Sequence, residues 1–505
     1  MFNPGSLSTP NRRRLERVCG SETQYSRGSP ESRAGARRIT ASDAAQQLSS
    51  AKDDESRHEA LLLLFTALSQ LPDSTKSCAD KGNGKDLGLV QIIIEAALTP
   101  TRTEDHVTHA LIAEIGLATL ELLSRSAPSL FSEEALIAVL AYTDARDPWT
   151  SEPASQGAAL LVWQLLPQEK LGNFIVGRLI QDYIRPTLLG PCGQSGDDNA
   201  QSGRTAKPSL ESTRRRSITI FRWAVDNADS RIMGHHWHLF LPILLDLMED
   251  PESSVREAGL EILVAFLRMC PSQTLLATGM SGIFENAVFP LLLPISNTCD
   301  LERSLSTLRL AYDAIILLGQ TCQSSHSYDQ RRLLDRLTRD GILTGYFHAS
   351  QNVAVVEILM HYVKAIVNSL GIYAVKHLKV LLDIIESVMT DPFAATCPSM
   401  IVAAGHALNA ILCNCWSRIQ VKREDQVLRI IAICWVNACD HRQLGETTQM
   451  TAGAVTAGVR EVLLTTSKLL QSLGRDRQPA FRHRLTELAS RESQLTPLLQ
   501  PHLSC

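Results

Sequence analysis

From Ser56 almost to its end, the chain repeats apolar residues at helical spacing, and scarcely any segment alternates with a period of two. A half-buried sheet is therefore not expected, because its strands need that alternation. The periodicity predicts helices over 56–70, 87–98, 107–125, 132–143, 154–166 and 170–185. It predicts more over 211–226, 235–249, 252–269, 272–292, 301–320, 327–340, 351–370, 372–389, 398–418, 423–439, 451–474 and 478–490. Composition agrees: 44% of residues are apolar but only 5% are aromatic, which suits packed helices better than sandwiches or barrels. The fold class expected is all-α, most simply an α-solenoid of stacked, irregular helix pairs, with a compact bundle as the alternative.

Two stretches break the pattern. Residues 1–50 are Arg- and Ser-rich with no repeating apolar face. They are expected to be a disordered basic tail rather than a targeting segment, since Glu16, Glu22 and Glu31 interrupt the positive charge. The run "GPCGQSGDDNAQSGRTAKPS" within 190–210 reads as a flexible loop. The expected order is thus the tail 1–50, N-terminal helical repeats 51–189, the loop 190–210, HEAT-like repeats 211–440 and C-terminal helices 441–505. No apolar run of the roughly 18 residues that span a bilayer is apparent, so the chain is expected to be soluble.

The clearest local unit is "LPILLDLMEDPESSVREAGLEILVAFL", Leu241–Leu267. Leu241, Leu244, Leu245 and Met248 form one stripe. Val255, Ala258, Gly259, Ile262, Leu263, Phe266 and Leu267 form the next. Between them, Asp250 is placed as an N-cap and Pro251 at the first helical position, where its missing N–H costs nothing. This order of Pro, Leu-Leu, Asp-Pro, Val-Arg and Gly-Leu resembles a HEAT repeat. The resemblance implies that Asp250 and Arg256 belong to a polar ladder between neighbouring units. Asp-Pro recurs at Asp147 and Asp391, at spacings that are not clean multiples of one ~40–47-residue unit.

Little in the sequence points to chemistry. There is no G-x-S-x-G, P-loop or strand-flanked G-x-G-x-x-G, and "ADKGNGKDLG" (79–88) reads as a loop. Consecutive histidines in "GHHWH" (234–238) do not share a helix face and so would not converge on a metal. Cys413, Cys415, Cys434, Cys439 and His441 have no familiar zinc spacing. With Cys270 and Cys322, the cysteines read as reduced, buried thiols of an intracellular protein. "TRRRS" (213–217) reads as a solvated charge run, with phosphorylation of Ser217 as the sharper reading. Asp246, Glu249 and Asp250 are expected along a helix end in water, not in a catalytic pocket. No enzyme activity, cofactor or metal is expected, and a net charge of −4 argues against nucleic acid.

The second half carries a more specific pattern: "IFENAVFPLLLPIS" (283–296), "LLDRLTRDGILTGYFHA" (333–349), "VVEILMHYVKAIVNSLGIYAVKHLKVLL" (355–382), "VMTDPFA" (388–394) and "NCWSRI" (414–419). In that order these resemble the second Tel-interacting protein family, a subunit of the Triple-T cochaperone complex, in its fungal form. The resemblance implies a non-enzymatic scaffold. Its implied partners are the Tel protein and the first Tel-interacting protein. Its implied role is to hand newly made phosphatidylinositol 3-kinase-related kinases, for DNA-damage and target-of-rapamycin signalling, to the Hsp90 machinery in the cytoplasm and nucleus. A HEAT-repeat transport receptor or phosphatase scaffold is the alternative.

Within those motifs, Gly341 and Gly345 are expected to let a short non-helical segment turn. Tyr346, Phe347 and His348 would then plug a joint between helix pairs or, on the sharper reading, anchor a partner. Lys376, His377 and Lys379 are expected on a solvent-facing helix edge, or against an acidic groove of a partner. For the turn at Asp250, substitution Asp250→Ala is expected to cost about 0.5–2 kcal/mol and to affect function only through folding. Thermal denaturation beside a functional assay would show this.

Overall fold

Short polar side chains start the helices, supplying acceptors for backbone N–H groups that have no partner in the first turn. Ser132 Oγ accepts from Ala135 N–H and Ser151 Oγ from Ala154 N–H. Asn352 serves Val355, and Thr40 with Asp43 closes a reciprocal capping box. The computed structural model describes residues 7–25, 40–70, 85–99, 106–190, 210–293, 301–321, 328–444, 451–473 and 478–499. All elements among them are helical. They form two compact units, 1–246 and 247–505, so the junction falls inside the stretch expected as one block of repeats, 211–440. The expected 190–210 loop after Gly190, the 79–84 glycine cluster and Cys322 lie outside the described residues.

In unit 1, two helices occupy the expected tail: α1 (Thr9–Tyr25) and α2 (Ala41–Ser50). The sequence missed α1 because its inward face sets the polar Asn11 beside Leu15. Asn11 is fully buried, donates to the Leu111 carbonyl (3.0 Å) and accepts from His58 Nε2 (2.8 Å). Burial, and then the charge of Arg14, hold His58 down to about 4, so it stays neutral and accepts from Arg14 at Nδ1. Next come α3 (Asp54–Ser69), α4 (Lys85–Ile93, closing in a π-helical turn, Ile94–Leu98) and α5 (His106–Ser126). After them lie α6 (Glu133–Leu140) and α7 (Glu152–Leu165). α3 packs on α5, and α5 on α7. Gly116 of α5 permits the approach to α4, since a Cβ there would lie 2.3 Å from Ala97 Cβ.

The unit is completed by α8 (Gln168–Asn173, running through a π-helix, Phe174–Ile184, into Arg185–Leu189) and α9 (Leu210–Asn227). α9 carries "TRRRS", which is not a solvated charge run. Arg216 is buried, donating to the Leu98 carbonyl (2.6 Å) and to His109 Nε2 (3.1 Å). Its guanidinium also lies over the rings of Tyr142 (5.0 Å) and Trp149 (5.6 Å). Ser217 is fully buried and donates to the Thr213 carbonyl (2.9 Å), which removes it as an accessible phosphorylation site. α10 (Ser230–Glu249) follows, with non-helical backbone at His236. Its buried stripe is Ile243, Leu244, Leu247 and Met248, while Leu241 and Leu245 are only partly covered.

Unit 2 repeats a two-helix step. Its first helices are α11 (Ser253–Met269), α14 (Leu301–Thr321), α16 (Val353–Leu370), α18 (Pro398–Lys422) and α20 (Thr451–Leu473). Short α12 (Ser272–Thr278) precedes α13 (Met280–Val288). The second helices are α13, α15 (Tyr328–Arg336, continuous through Leu337–Leu343 to Thr344–Ala349), α17 (Leu378–Thr390), α19 (Glu424–Leu444) and α21 (Gln478–Arg491). Each first helix packs on the next, α11 on α14, α14 on α16, α16 on α18 and α18 on α20. That is the layering of an irregular HEAT-like solenoid. Gly279, at φ +71°, breaks the expected single helix over 272–292. Side-chain bonds Ser399–Glu357 and Asn414–Asn368 pair N-terminal with N-terminal and C-terminal with C-terminal turns, so α16 and α18 run parallel.

Among the described residues, three segments do have the length and hydropathy of a membrane span: His106–Ser126, Val353–Thr390 and Pro398–Ile419, with mean hydropathies of 1.4, 1.5 and 1.3. More than half of each lies buried against neighbouring helices.

Asp147, one of the two further Asp-Pro positions, accepts from Thr219 Oγ1 (2.5 Å) of α9. Burial pushes its carboxyl up to about 6, with the nearby Asp144 adding to the rise. A raised folded value means the folded state holds this proton more tightly. Stability is therefore full below about pH 4 and falls as the pH rises through about 6. Asp147→Asn removes that loss, so the variant is expected to be more stable than the parent near neutral pH by about 2 kcal/mol. The gain should shrink toward pH 4 in denaturant titrations run at both pH values.

Candidate functional site

The second helices of unit 2 are joined by one recurring interaction. A carboxylate on each reaches a cation on the next. Glu285 of α13 meets Arg332 (3.2 Å) and Arg336 (2.6 Å) of α15. Asp335 of α15 meets Lys376 (2.8 Å) and His377 (2.7 Å) at the entry to α17. Glu386 of α17 pairs with Arg429 of α19 and accepts from Gln426 (2.7 Å). Asp425 and Glu424 of α19 pair with Arg484 of α21. The first three rungs join residues 47 and 51, 41 and 42, and 43 apart. That is the length of a HEAT unit, and it is the period that the Asp-Pro turns did not reveal.

The expected ladder residues sit elsewhere. Asp250 Oδ1 accepts from Glu252 N–H (2.7 Å), a turn within its own loop, and α11 begins two residues later than a cap at Asp250 would require. Arg256 Nη1 donates to the carbonyls of Asp250 (2.7 Å) and Pro251 (2.8 Å), so it braces its own turn rather than a neighbouring unit. Asp250 is buried, not in water. Asp391 repeats the turn, accepting from Phe393 N–H (2.9 Å). Of the other acids in that stretch, Asp246 pairs with Arg214 (3.1 Å) and Glu249 is exposed.

Three more expectations change. "TGYFHA" is helical, not a loop. Gly341 and Gly345 are there for close packing: a Cβ on Gly341 would lie 3.1 Å from Tyr312 Oη, and one on Gly345 3.5 Å from Leu359. Tyr346 is half-buried, but Phe347 is 80% exposed and His348 stands beside it, so these two plug no joint. Lys379 is exposed as expected, whereas His377 is buried on Asp335 and does not face solvent. Cys413 is exposed; Cys270, Cys415 and Cys434 are buried, and burial raises their thiols to about 11, 11 and 12. Among the described residues no three His, Cys, Asp or Glu side chains converge on a metal position.

Of a second feature the sequence singles out Phe347 as an anchor but not Phe393. Phe393 is 79% exposed, on the turn that precedes α18, as Phe347 stands before α16. Because α16 and α18 run parallel, the segments that lead into them, which carry these residues, lie at the same end of the two helices. The arrangement offers binding surfaces: an aromatic edge, and a charged face along the ladder.

Residues 135–396 match the family model described as the Tti2 family. A search of curated proteins finds no match. Among solved structures, an engineered protein is similar at 13% identity and a TM-score of 0.37, over 91% of this chain and 97% of that one. Kap121p is similar at 12% identity and a TM-score of 0.43, over 96% of this chain and 52% of its own. The chain therefore spans about half the length of Kap121p.

The ladder predicts a pH response. Burial pushes the Asp335 carboxyl up, but hydrogen bonds and charge from Lys376 and His377 outweigh that and hold it below the ordinary range. A depressed folded value gives stability that is present above the unfolded value and lost as the pH falls through the folded one. Asp335→Asn should therefore destabilise the chain at pH 7, by about 1 kcal/mol after allowance for solvent screening. The difference from the parent should vanish in strongly acidic denaturant melts. An equal deficit at both ends of the pH range would show that the charge is not what matters.

Proposed function

Because this chain belongs to the Tti2 family, we propose that it works as a non-enzymatic scaffold within the Triple-T complex. The match over residues 135–396 carries this reading. In that role it supports folding, stability and assembly of phosphatidylinositol 3-kinase-related kinases with Hsp90, in the cytoplasm and nucleus. Its immediate partners are the Tel protein and the first Tel-interacting protein. The repeat architecture suits a scaffold, since stacked helix pairs give a long, mostly pre-formed surface and little ordering is needed on binding. The edge bearing Phe347 and Phe393 supplies aromatic anchors of the kind that dominate interface energetics.

Affinity purification of the tagged chain from extract is expected to recover two larger helical-repeat proteins in near-stoichiometric amounts. Recovering neither, at low salt, would overturn the assignment. Recovery led by a small GTPase or a phosphatase catalytic subunit would select the transport-receptor or phosphatase-scaffold alternative. The double variant Phe347→Ser, Phe393→Ser should lower the yield of at least one partner roughly tenfold while leaving the melting temperature unchanged.

A further inference from the structure

Three of the four rungs are lopsided in the same sense. Glu285 is 7% exposed and its partner Arg332 56%. Asp335 is 22% exposed and Lys376 61%. Glu386 is 22% exposed and Arg429 60%. In all three the carboxylate is tucked into the joint between helices and the cation stands outward. An ion pair oriented this way is a dipole with its positive end toward solvent. Three such dipoles side by side put cations outermost on this face, although the pairs themselves are close to neutral, and exposed Asp340 on Arg336 and Asp383 beside Gln426 stand among them. Lys379, exposed one turn beyond Lys376, adds another cation. The strip of cations ends at the next rung, where Asp425 is 77% exposed.

The spacing of the strip is as informative as its sign. Packed helices lie about 8–10 Å apart, and each of these cations belongs to the helix step after the last, so an interval of that order is expected between them. A polyproline II segment rises about 3.1 Å per residue and turns once every three residues. It brings every third side chain to the same face at about 9 Å. A β-strand does not, because its third side chain points to the opposite face.

We propose that the ladder face of unit 2, from Arg332 through Lys376 to Arg429, docks an extended acidic segment of a partner protein in polyproline II conformation, with a carboxylate at every third residue. Each carboxylate meets one outward cation, while the tucked Glu285, Asp335 and Glu386 hold those cations in place. Arginine suits this double use, since its fork of five N–H donors can serve two acceptors. A protein segment fits better than nucleic acid, because the chain as a whole carries a net charge of −4. The inference rests on the ladder geometry and holds whether or not the chain serves the complex proposed above.

The test uses the full chain and a fluorescent peptide of four Glu-Pro-Pro triplets, read by anisotropy. Binding should weaken as salt rises through the physiological range. A peptide of the same composition with its glutamates in one block should bind roughly tenfold more weakly. The variant Lys376→Gln, Glu386→Gln, Arg429→Gln removes two outward cations and neutralises the joint they leave. Its affinity should fall roughly tenfold. Should that variant melt early, Lys376→Gln alone is cleaner, because Asp335 keeps His377 at 2.7 Å. It should lose about threefold. Equal binding of the block peptide, unchanged affinity in a folded variant, or displacement of the peptide by single-stranded nucleic acid at lower concentration would each overturn the proposal.

Discussion

The acid-to-cation rung between successive second helices sets the register of unit 2. Apolar stripes alone do not, because one leucine face slides over another at little cost. A half-buried carboxylate is less forgiving. Glu285 is desolvated in the joint, and leaving it without Arg332 and Arg336 would strand a buried charge, which costs several kcal/mol. Such a pair need not add net stability over an apolar joint. What it does is penalise every offset except the one that restores the rung. The sign pattern is directional as well: the acid always lies earlier in the chain and the base later. A unit inserted backwards would oppose like charges.

Unit 1 meets the same requirement by other means. Its central polar group is a cation, Arg216, held by a carbonyl, an imidazole and two aromatic faces. The Leu98 carbonyl closes the π-helical turn of α4, and it accepts from Tyr142 as well as from Arg216. His109 takes part only as a neutral ring: burial first, and the nearby guanidinium second, hold it down to about 3. Three elements distant in sequence are thereby tied to one side chain. Glu114, fully buried on α5, performs a similar tie, accepting from the Ser8 backbone and from Ser151 Oγ.

Helix existence was legible in the sequence because apolar periodicity is a local property and each stripe had to face something. The predicted spans from 56–70 to 478–490 correspond to observed helices, except over 272–292, where Gly279 divides the segment. The fate of individual polar residues was not legible, because it depends on what packs opposite. Arg214, Arg215 and Arg216 are identical letters in a row, yet Arg214 pairs with Asp246, Arg215 with Glu211, and Arg216 is buried. Likewise the ladder leaves no motif. Its rungs join Glu to Arg, Asp to Lys and His, and Glu to Arg, at intervals that drift from 41 to 51 residues. A search for an acid followed by a base at about that interval, on second helices only, would have found them.

The aromatic edge follows from the same geometry. In a stack of helix pairs the joints consume the side chains that face neighbouring repeats, so residues on the connecting turns are free of packing duty. A phenylalanine on such a turn contributes nothing to the core and exposes apolar area to water. One instance would be ordinary, since scattered exposed apolar residues are normal. Two, at 80% and 79% exposure, stand on the helix end before α16 and on the short turn before α18. The turn at Asp391 strengthens the case, because its carboxylate fixes the backbone of Phe393 itself. A backbone already fixed in this way loses little conformational freedom when something covers the ring it carries.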